Sequence, residues 1–246
     1  MKIGVSVAKS KVQLYVNQAY VNYVMSAGME PILINDHNDP QGMAALCDGL
    51  LLPGGNDIDP LYYGEDNYSS SSTKPDRDEF ERQLLTAFMQ EGKKVFGICR
   101  GFQLMVLEYL KANAAANKRL SFEQHISGHN QASLDLERSQ PVHKVVADLN
   151  ALYAADNDVY KYLSVNSMHH QGLILMNENM ITSVEGMNLL AFTKYGMSKK
   201  DKGFIVEAID IPQWNCRGVQ WHPEELMDTA LLNTYFGGNN AKVAGA

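Results

Sequence analysis

The sequence predicts an α/β fold, a three-layer sandwich with a mostly parallel central sheet flanked by helices. Two observations carry this. Short apolar runs alternate with segments of helical periodicity through the first half, as in a parallel sheet covered on both faces. Glycine or proline then punctuates the ends of these segments, at Gly28, Pro53-Gly54-Gly55 and Gly92.

Taken in order, residues 2–7 read as a strand and 12–27 as a helix closed by Gly28. Strands follow at 31–34 and at 49–52, the latter ending on Pro53-Gly54-Gly55. Residues 57–76 read as a loop containing four consecutive serines. The segment 76–91 is a helix, with Phe80, Leu84, Leu85 and Phe88 on one stripe. A strand at 94–98 leads into a helix from Arg100. Residues 112–135 are polar and rich in Ala and Asn. The second half is richer in strands, at 142–146, 162–165, 181–184, 189–193, 205–211 and 217–221, before a last helix at 224–236. Length and pattern suit one domain over 1–238 with a frayed tail at 239–246.

Composition narrows the function. A formal charge of -7 without any basic run argues against a nucleic-acid surface. No apolar stretch approaches the ~20 residues that span a bilayer, and no signal-peptide core opens the chain. Three cysteines, Cys47, Cys99 and Cys216, lack a close pair, which fits a reducing cytoplasm.

The sharpest local signal is Gly97-Ile98-Cys99-Arg100-Gly101. It sets a cysteine between a buried strand and a helix, with a glycine two residues to either side. A tight strand-to-helix turn strains its central residue, and the helix N-terminus favours a thiolate there. By itself this pattern leaves a buried structural cysteine equally open. A thiolate nucleophile needs a base, and Trp221-His222-Pro223-Glu224 offers His222 with Glu224 to orient it. Alone, His-Pro-Glu is more often a helix start; beside the Cys99 elbow, the triad explains it better. Gly54-Gly55, directly after a buried strand, can present the backbone N–H groups of an oxyanion hole. Cys47 and Cys216 have no such surroundings and read as core residues. Asp57 and Asp59 read as turn caps, with binding of an amine-bearing leaving group as the alternative.

The ordered motifs Pro53-Gly54-Gly55, Gly97-Ile98-Cys99-Arg100-Gly101-Phe102-Gln103 and Gln220-Trp221-His222-Pro223-Glu224 resemble class I glutamine amidotransferase domains. Asn56 to Pro60, Arg77 to Glu81, Val165 to Gln171 and Val206 to Ile209 are similar to one branch, the γ-glutamyl-γ-aminobutyrate hydrolase-like proteins of peptidase family C26. The resemblance implies a flavodoxin-like, class I glutamine amidotransferase-like fold and a hydrolase cleaving the γ-glutamyl amide of a small molecule through a thioester. It implies Cys99, His222 and Glu224 as the triad, and the backbone N–H groups of Gly55 and Arg100 as the oxyanion hole. It places Gln103, Ser167, His169 and His170 by the bound γ-glutamyl group. It implies no cofactor, and is compatible with a homodimer.

The alternative on the same triad is a glutaminase that supplies ammonia to a partner synthetase. His169 and His170 invite a metal, yet no ligand set at metal spacing surrounds them in the sequence, so none is expected. Residues 110–125 depart from the family, lacking its Gly-Gly-x-Leu strand and Gln-Asp-Ile. That departure is expected to alter the pocket rim and hence the leaving group.

Overall fold

The computed structural model of the chain describes residues 1–155, 160–176, 181–195 and 203–237. β1 (Lys2–Ser6) is followed by a small hairpin, β2 (Ala8–Lys9) and β3 (Leu14–Tyr15), and then by α1 (Gln18–Ser26). The helix expected from residue 12 therefore begins later. Asn17 starts it, its side chain accepting the Ala19 N–H at 3.0 Å. Gly28, at φ +76, takes the left-handed position past its end.

Next come β4 (Glu30–Ile34), α2 (Pro40–Leu46) and β5 (Gly49–Leu52). The sequence reading missed α2, although its start is well marked. Asp39 accepts the Gly42 N–H at 2.8 Å, and Pro40 occupies the first turn, where its missing N–H costs nothing. α3 (Pro75–Gln90), β6 (Lys94–Ile98) and α4 (Arg100–Ala112) lie within a residue or so of the expected positions.

The second half holds β7 (Leu120–Glu123), β8 (His143–Asp148), α5 (Leu149–Tyr153), β9 (Tyr160–Val165), β10 (Gly172–Leu175), β11 (Ser183–Val184), β12 (Met187–Tyr195), β13 (Gly203–Ile211), β14 (Cys216–Val219) and α6 (Thr229–Phe236). β7, β10 and α5 were not foreseen, and α6 starts five residues later than expected. The tail expected at 239–246 lies outside the described residues.

The main path of the sheet runs β4-β1-β5-β6-β14-β13-β12-β8-β9. Its first five strands are parallel, and the strands beyond β14 are antiparallel. Alternate side chains of the parallel strands feed two cores. Leu50, Leu52 and Val95 pack with Leu84, Phe88, Phe102 and Met105 from α3 and α4. Leu51, Phe96 and Ile98 pack on the other face with Tyr23, Val24 and Leu231 from α1 and α6. Helices on both faces of a sheet make the expected three-layer α/β sandwich. Among the described residues, no helix is long and apolar enough to cross a membrane.

Candidate active site

Register decides which loops meet. Leu52 pairs with Gly97, and Val219 with Ile98, in parallel ladders. The residues that follow β5, β6 and β14 therefore emerge together at the carboxyl edge of the sheet, where open α/β sheets bind ligands. These residues are Pro53-Gly54-Gly55, Cys99-Arg100 and Gln220-Trp221-His222.

Cys99 joins β6 to α4 with φ 51 and ψ -103, a strained conformation for a residue carrying a Cβ. It is held there on both sides: its N–H donates to Val219 O at 2.8 Å, and its carbonyl accepts the Gln103 N–H at 3.0 Å. The glycine at 101 is a packing requirement. A Cβ there would lie 2.1 Å from Leu52 O, so only glycine lets the start of α4 rest against β5. Cys99 is thus fixed at the N-terminus of a buried helix, whose first N–H groups have no partner within the helix.

His222 follows β14, and its Nδ1 lies 2.7 Å from Glu224 Oε1 in a buried pair. A carboxylate only accepts, so Nδ1 carries a proton and Nε2 is the nitrogen left over. Nε2 is buried without a hydrogen-bond partner. Burial alone would push His222 down. The Glu224 carboxylate and the neighbouring Cys99 sulfur outweigh it and raise the imidazole to about 10. The other two thiols, Cys47 and Cys216, are pushed up by burial.

Two residues that the sequence did not single out complete this arrangement. Asn166, fully buried, accepts the His222 N–H at 2.9 Å and donates to its carbonyl at 3.0 Å. The Tyr20 hydroxyl accepts the Gly54 N–H at 2.9 Å and lies 3.4 Å from His222 Nδ1. Gly54 sits between them. A Cβ on it would lie 2.6 Å from that hydroxyl and 3.0 Å from His222 Cε1.

Beneath the loops, α3 ties the two candidate oxyanion segments together. Arg100 is fully buried and forms ion pairs with Asp78 and Glu81. Glu81 also accepts from Arg77 Nε at 2.9 Å, and Arg77 Nη2 donates to Gly54 O at 3.2 Å. Burial opposes charge throughout, yet the arginines hold the Glu81 carboxyl below its usual range. Above the loops opens a cavity of about 420 Å³, lined by Gly54, Gly55, Asn56, Cys99, Met168 and His222 among others. Arg77 and Arg138 bring positive charge to it.

The sequence pattern of peptidase C26 matches residues 2–224. The chain belongs to the peptidase C26 family. These are hydrolases of the glutamine amidotransferase-like type. The chain is 29% identical to a candidate glutamine amidotransferase of Mycobacterium tuberculosis, Rv2859c, over 85% of its own length and only 61% of that protein's. It is 25% identical to the γ-glutamyl-γ-aminobutyrate hydrolase of Escherichia coli O157:H7, covering 90% of this chain and 85% of that one. The fold resembles the glutaminase domain of Trypanosoma brucei CTPS, solved with acivicin bound, at a TM-score of 0.57 and 12% identity. That match covers 94% of this chain and 91% of the other.

In this C26 chain, the residues expected around a γ-glutamyl group sit elsewhere than on the cavity wall. Gln103 is buried and donates to Gln171 O at 3.0 Å and Gln220 Oε1 at 3.1 Å, which ties α4 to the segments just before β10 and just after β14. The Ser167 hydroxyl donates to His129 O. His170 Nε2 lies 2.9 Å from Asp57 Oδ2, which also accepts the Ser71 N–H at 2.8 Å. From this segment it is Met168 that faces the cavity. Alternation accounts for Ser167 and His169, the neighbours of Met168, since adjacent residues along an extended chain point opposite ways.

His169 turns inward to a buried cluster with His129, His143 and Glu207. Sequence spacing gave no ligand set because four separate segments supply these side chains. Burial lowers His169 to about 4 and also lowers His129. The divergent region after α4 still forms a strand, β7, paired with β10, and residues 110–135 do not line the cavity. Its Gln124 is buried and donates to Glu65 Oε2 at 3.0 Å and Asp66 O at 2.9 Å, anchoring the 57–76 loop. Asp59 caps a 3-10 turn, accepting the Leu61 N–H at 3.0 Å.

Proposed function

We propose that this chain is a cysteine-dependent hydrolase of the γ-glutamyl amide bond in a small γ-glutamyl amine or γ-glutamyl-γ-aminobutyrate-type substrate. One observation carries the reading. Cys99, strained at the start of α4, adjoins an imidazole whose other nitrogen is bound to Glu224. Relatives in the same family, one of them a γ-glutamyl-γ-aminobutyrate hydrolase, support the substrate class.

In this reading the Cys99 thiolate attacks the γ-carbonyl carbon. The carbonyl oxygen takes up the displaced electron pair and is met by the N–H groups of Gly55 and Arg100. His222, protonated, gives its Nε2 proton to the amine as the C–N bond breaks, leaving a γ-glutamyl thioester on Cys99. Neutral His222 then takes a proton from water as the water attacks the thioester. Collapse releases glutamate and restores the thiolate beside the imidazolium. Glu224 orients the ring and stabilises its charged form throughout.

The test is glutamate release from a panel of γ-glutamyl amines, with glutamine alongside. Cys99→Ala is expected to lower turnover by about 10³-fold or more. A diazo-norleucine is expected to label Cys99 and spare Cys47 and Cys216. Turnover of glutamine alone would overturn the substrate class, and unchanged turnover in Cys99→Ala would overturn the mechanism.

A further inference from the structure

Three imidazoles converge on one buried carboxylate oxygen. Glu207, fully buried in the middle of β13, has its Oε1 3.2 Å from His143 Nε2, 3.6 Å from His129 Nδ1 and 3.8 Å from His169 Nε2. The ligand atoms of His129, His143 and Glu207 all lie within 4.8 Å of one another. A tetrahedral ion bound at 2.0–2.1 Å spaces its ligands roughly 3.4 Å apart. The three Glu207–imidazole distances lie within a few tenths of an ångström of that, and a wider pair in the triad, at most 4.8 Å apart, closes by no more than about 1.4 Å.

Hydrogen bonding inside the cluster leaves it unsatisfied. His129 Nδ1, His169 Nε2 and Glu207 Oε2 are buried without a hydrogen-bond partner. His169 is the most telling. Its Nδ1 lies 2.9 Å from Gln171 O, and a carbonyl only accepts, so Nδ1 carries the ring proton. Its Nε2 is aimed at the Glu207 carboxylate, 3.8 Å away, and has no hydrogen-bond partner. A buried polar nitrogen left unpaired beside a carboxylate is costly, and a cation bound between the two removes that cost. A ligating histidine whose other nitrogen donates to a backbone carbonyl is also the usual outer arrangement of a metal site.

We propose that His129, His143 and Glu207 bind one zinc-class divalent cation, with His169, whose Nε2 lies 3.8 Å from Glu207 Oε1, as the next donor to hand. Imidazole nitrogens with one carboxylate oxygen suit zinc, whereas magnesium and calcium favour oxygen alone. His129 and His143 keep some exposure, 13% and 20% of their side chains, which gives the ion a way in. The ion acts structurally. It clips β8 and β13 to the strands' neighbouring segments 129–131 and 166–169, and the latter carries Asn166, which holds the His222 backbone. The proposal is independent of the substrate of Cys99.

Zinc also binds thiolates, so the experiment must separate this cluster from Cys99. The purified full chain is loaded with Zn2+, dialysed and analysed for metal, in the original form and as Cys99→Ser, His143→Ala and Glu207→Gln. Expected are one zinc per chain, unchanged in Cys99→Ser, and a loss of affinity of at least about tenfold in His143→Ala and Glu207→Gln. Zn2+ should also raise the unfolding temperature of Cys99→Ser, and a chelator should reverse that. Co2+ in Cys99→Ser should give the strong visible absorption of a four-coordinate nitrogen and oxygen site. His143 is partly exposed, so its variant keeps the test decisive if Glu207→Gln fails to fold. Two results would overturn the proposal: no saturable binding by the folded original chain, or binding lost in Cys99→Ser and retained in His143→Ala.

Discussion

The side-chain amide of Asn166 grips the backbone of His222 from both sides, accepting its N–H at 2.9 Å and donating to its carbonyl at 3.0 Å. Glu224 orients the imidazole ring, and Asn166 fixes the peptide that carries it. Asn166 joins neither proton transfer nor attack in the proposed reaction, so it is a positioning residue. Asn166→Ala leaves the buried His222 N–H without its partner and its carbonyl with only the Glu225 N–H at 3.3 Å, which costs about 1–3 kcal/mol of stability. A misplacement on the order of 1 Å lowers rate by about 10²-fold. The expected result is a fall of that order in kcat with KM little changed, read by steady-state kinetics beside urea unfolding. A variant that loses stability and keeps its kcat would show that Asn166 serves folding alone.

The raised imidazole gives a prediction in pH. His222 binds its proton more tightly in the folded chain, at about 10, than at its ordinary value of about 6.5. Its contribution to stability is therefore complete below about 6.5 and is lost as pH rises through about 10. Activity should follow the same limb, because deprotonated His222 can neither accompany the thiolate nor protonate the leaving amine. A profile of kcat/KM against pH is expected to fall near pH 10. In Glu224→Gln, which removes the main opposing charge, the alkaline limb should move to lower pH. A limb that stays in place would separate Glu224 from the titration.

Glu81 joins the two arginines that anchor the candidate oxyanion segments: Arg100, which follows Cys99, and Arg77, which reaches Gly54 O. The cost of removing it comes from what is left behind. Glu81→Ala strands a fully buried guanidinium with only Asp78 as its counter-charge, and breaking one partner of such a pair costs about 3–5 kcal/mol. Urea unfolding should show that loss. Glu79→Ala, on the same helix but exposed, should change stability by less than about 1 kcal/mol. Similar losses at both positions would mean that burial is not what makes Glu81 matter.

The sequence points to Cys99, His222 and Glu224 and gives no role of their own to Asn166 and Tyr20, for a physical reason. The first three sit in short motifs whose local geometry is written in neighbours: glycines that permit close approach, a proline after the histidine, and a strand running into each. Parallel register then joins loops distant in sequence, and alternation along β5 and β6 suffices to predict two buried faces. Tyr20 and Asn166 act through hydrogen bonds to Gly54 and His222, residues that follow other strands, and local patterning carries no trace of such pairs. The same limit applies to the histidine cluster, whose four ligand candidates are 129, 143, 169 and 207. The expectation that groups His169 with His170 beside the substrate meets the same limit, because the backbone turns one toward Glu207 and the other toward Asp57.

The proposed substrate class makes a demand on the cavity that can be tested. A γ-glutamyl group carries an α-carboxylate, and a guanidinium suits it because its fork of N–H donors matches two carboxylate oxygens. Of the two arginines lining the cavity, Arg77 is bound into the Glu81 network, with its side chain 9% exposed. Arg138 stands at the opening, its side chain 47% exposed, with Nε 2.5 Å from Glu225 Oε1. Its backbone is steadied by Asn166, which donates to Arg138 O at 2.8 Å. Arg138→Ala should therefore raise KM for γ-glutamyl substrates by about tenfold with kcat little changed, the loss of one charge-assisted hydrogen bond of about 1.5 kcal/mol. Arg138→Lys, which keeps the charge and loses the fork, should recover only part of it. The comparison that decides is an amide substrate lacking the α-carboxylate. If Arg138 reads that group, the arginine and alanine forms should turn it over with equal KM, and a tenfold difference persisting there would assign Arg138 to the shape of the cavity instead.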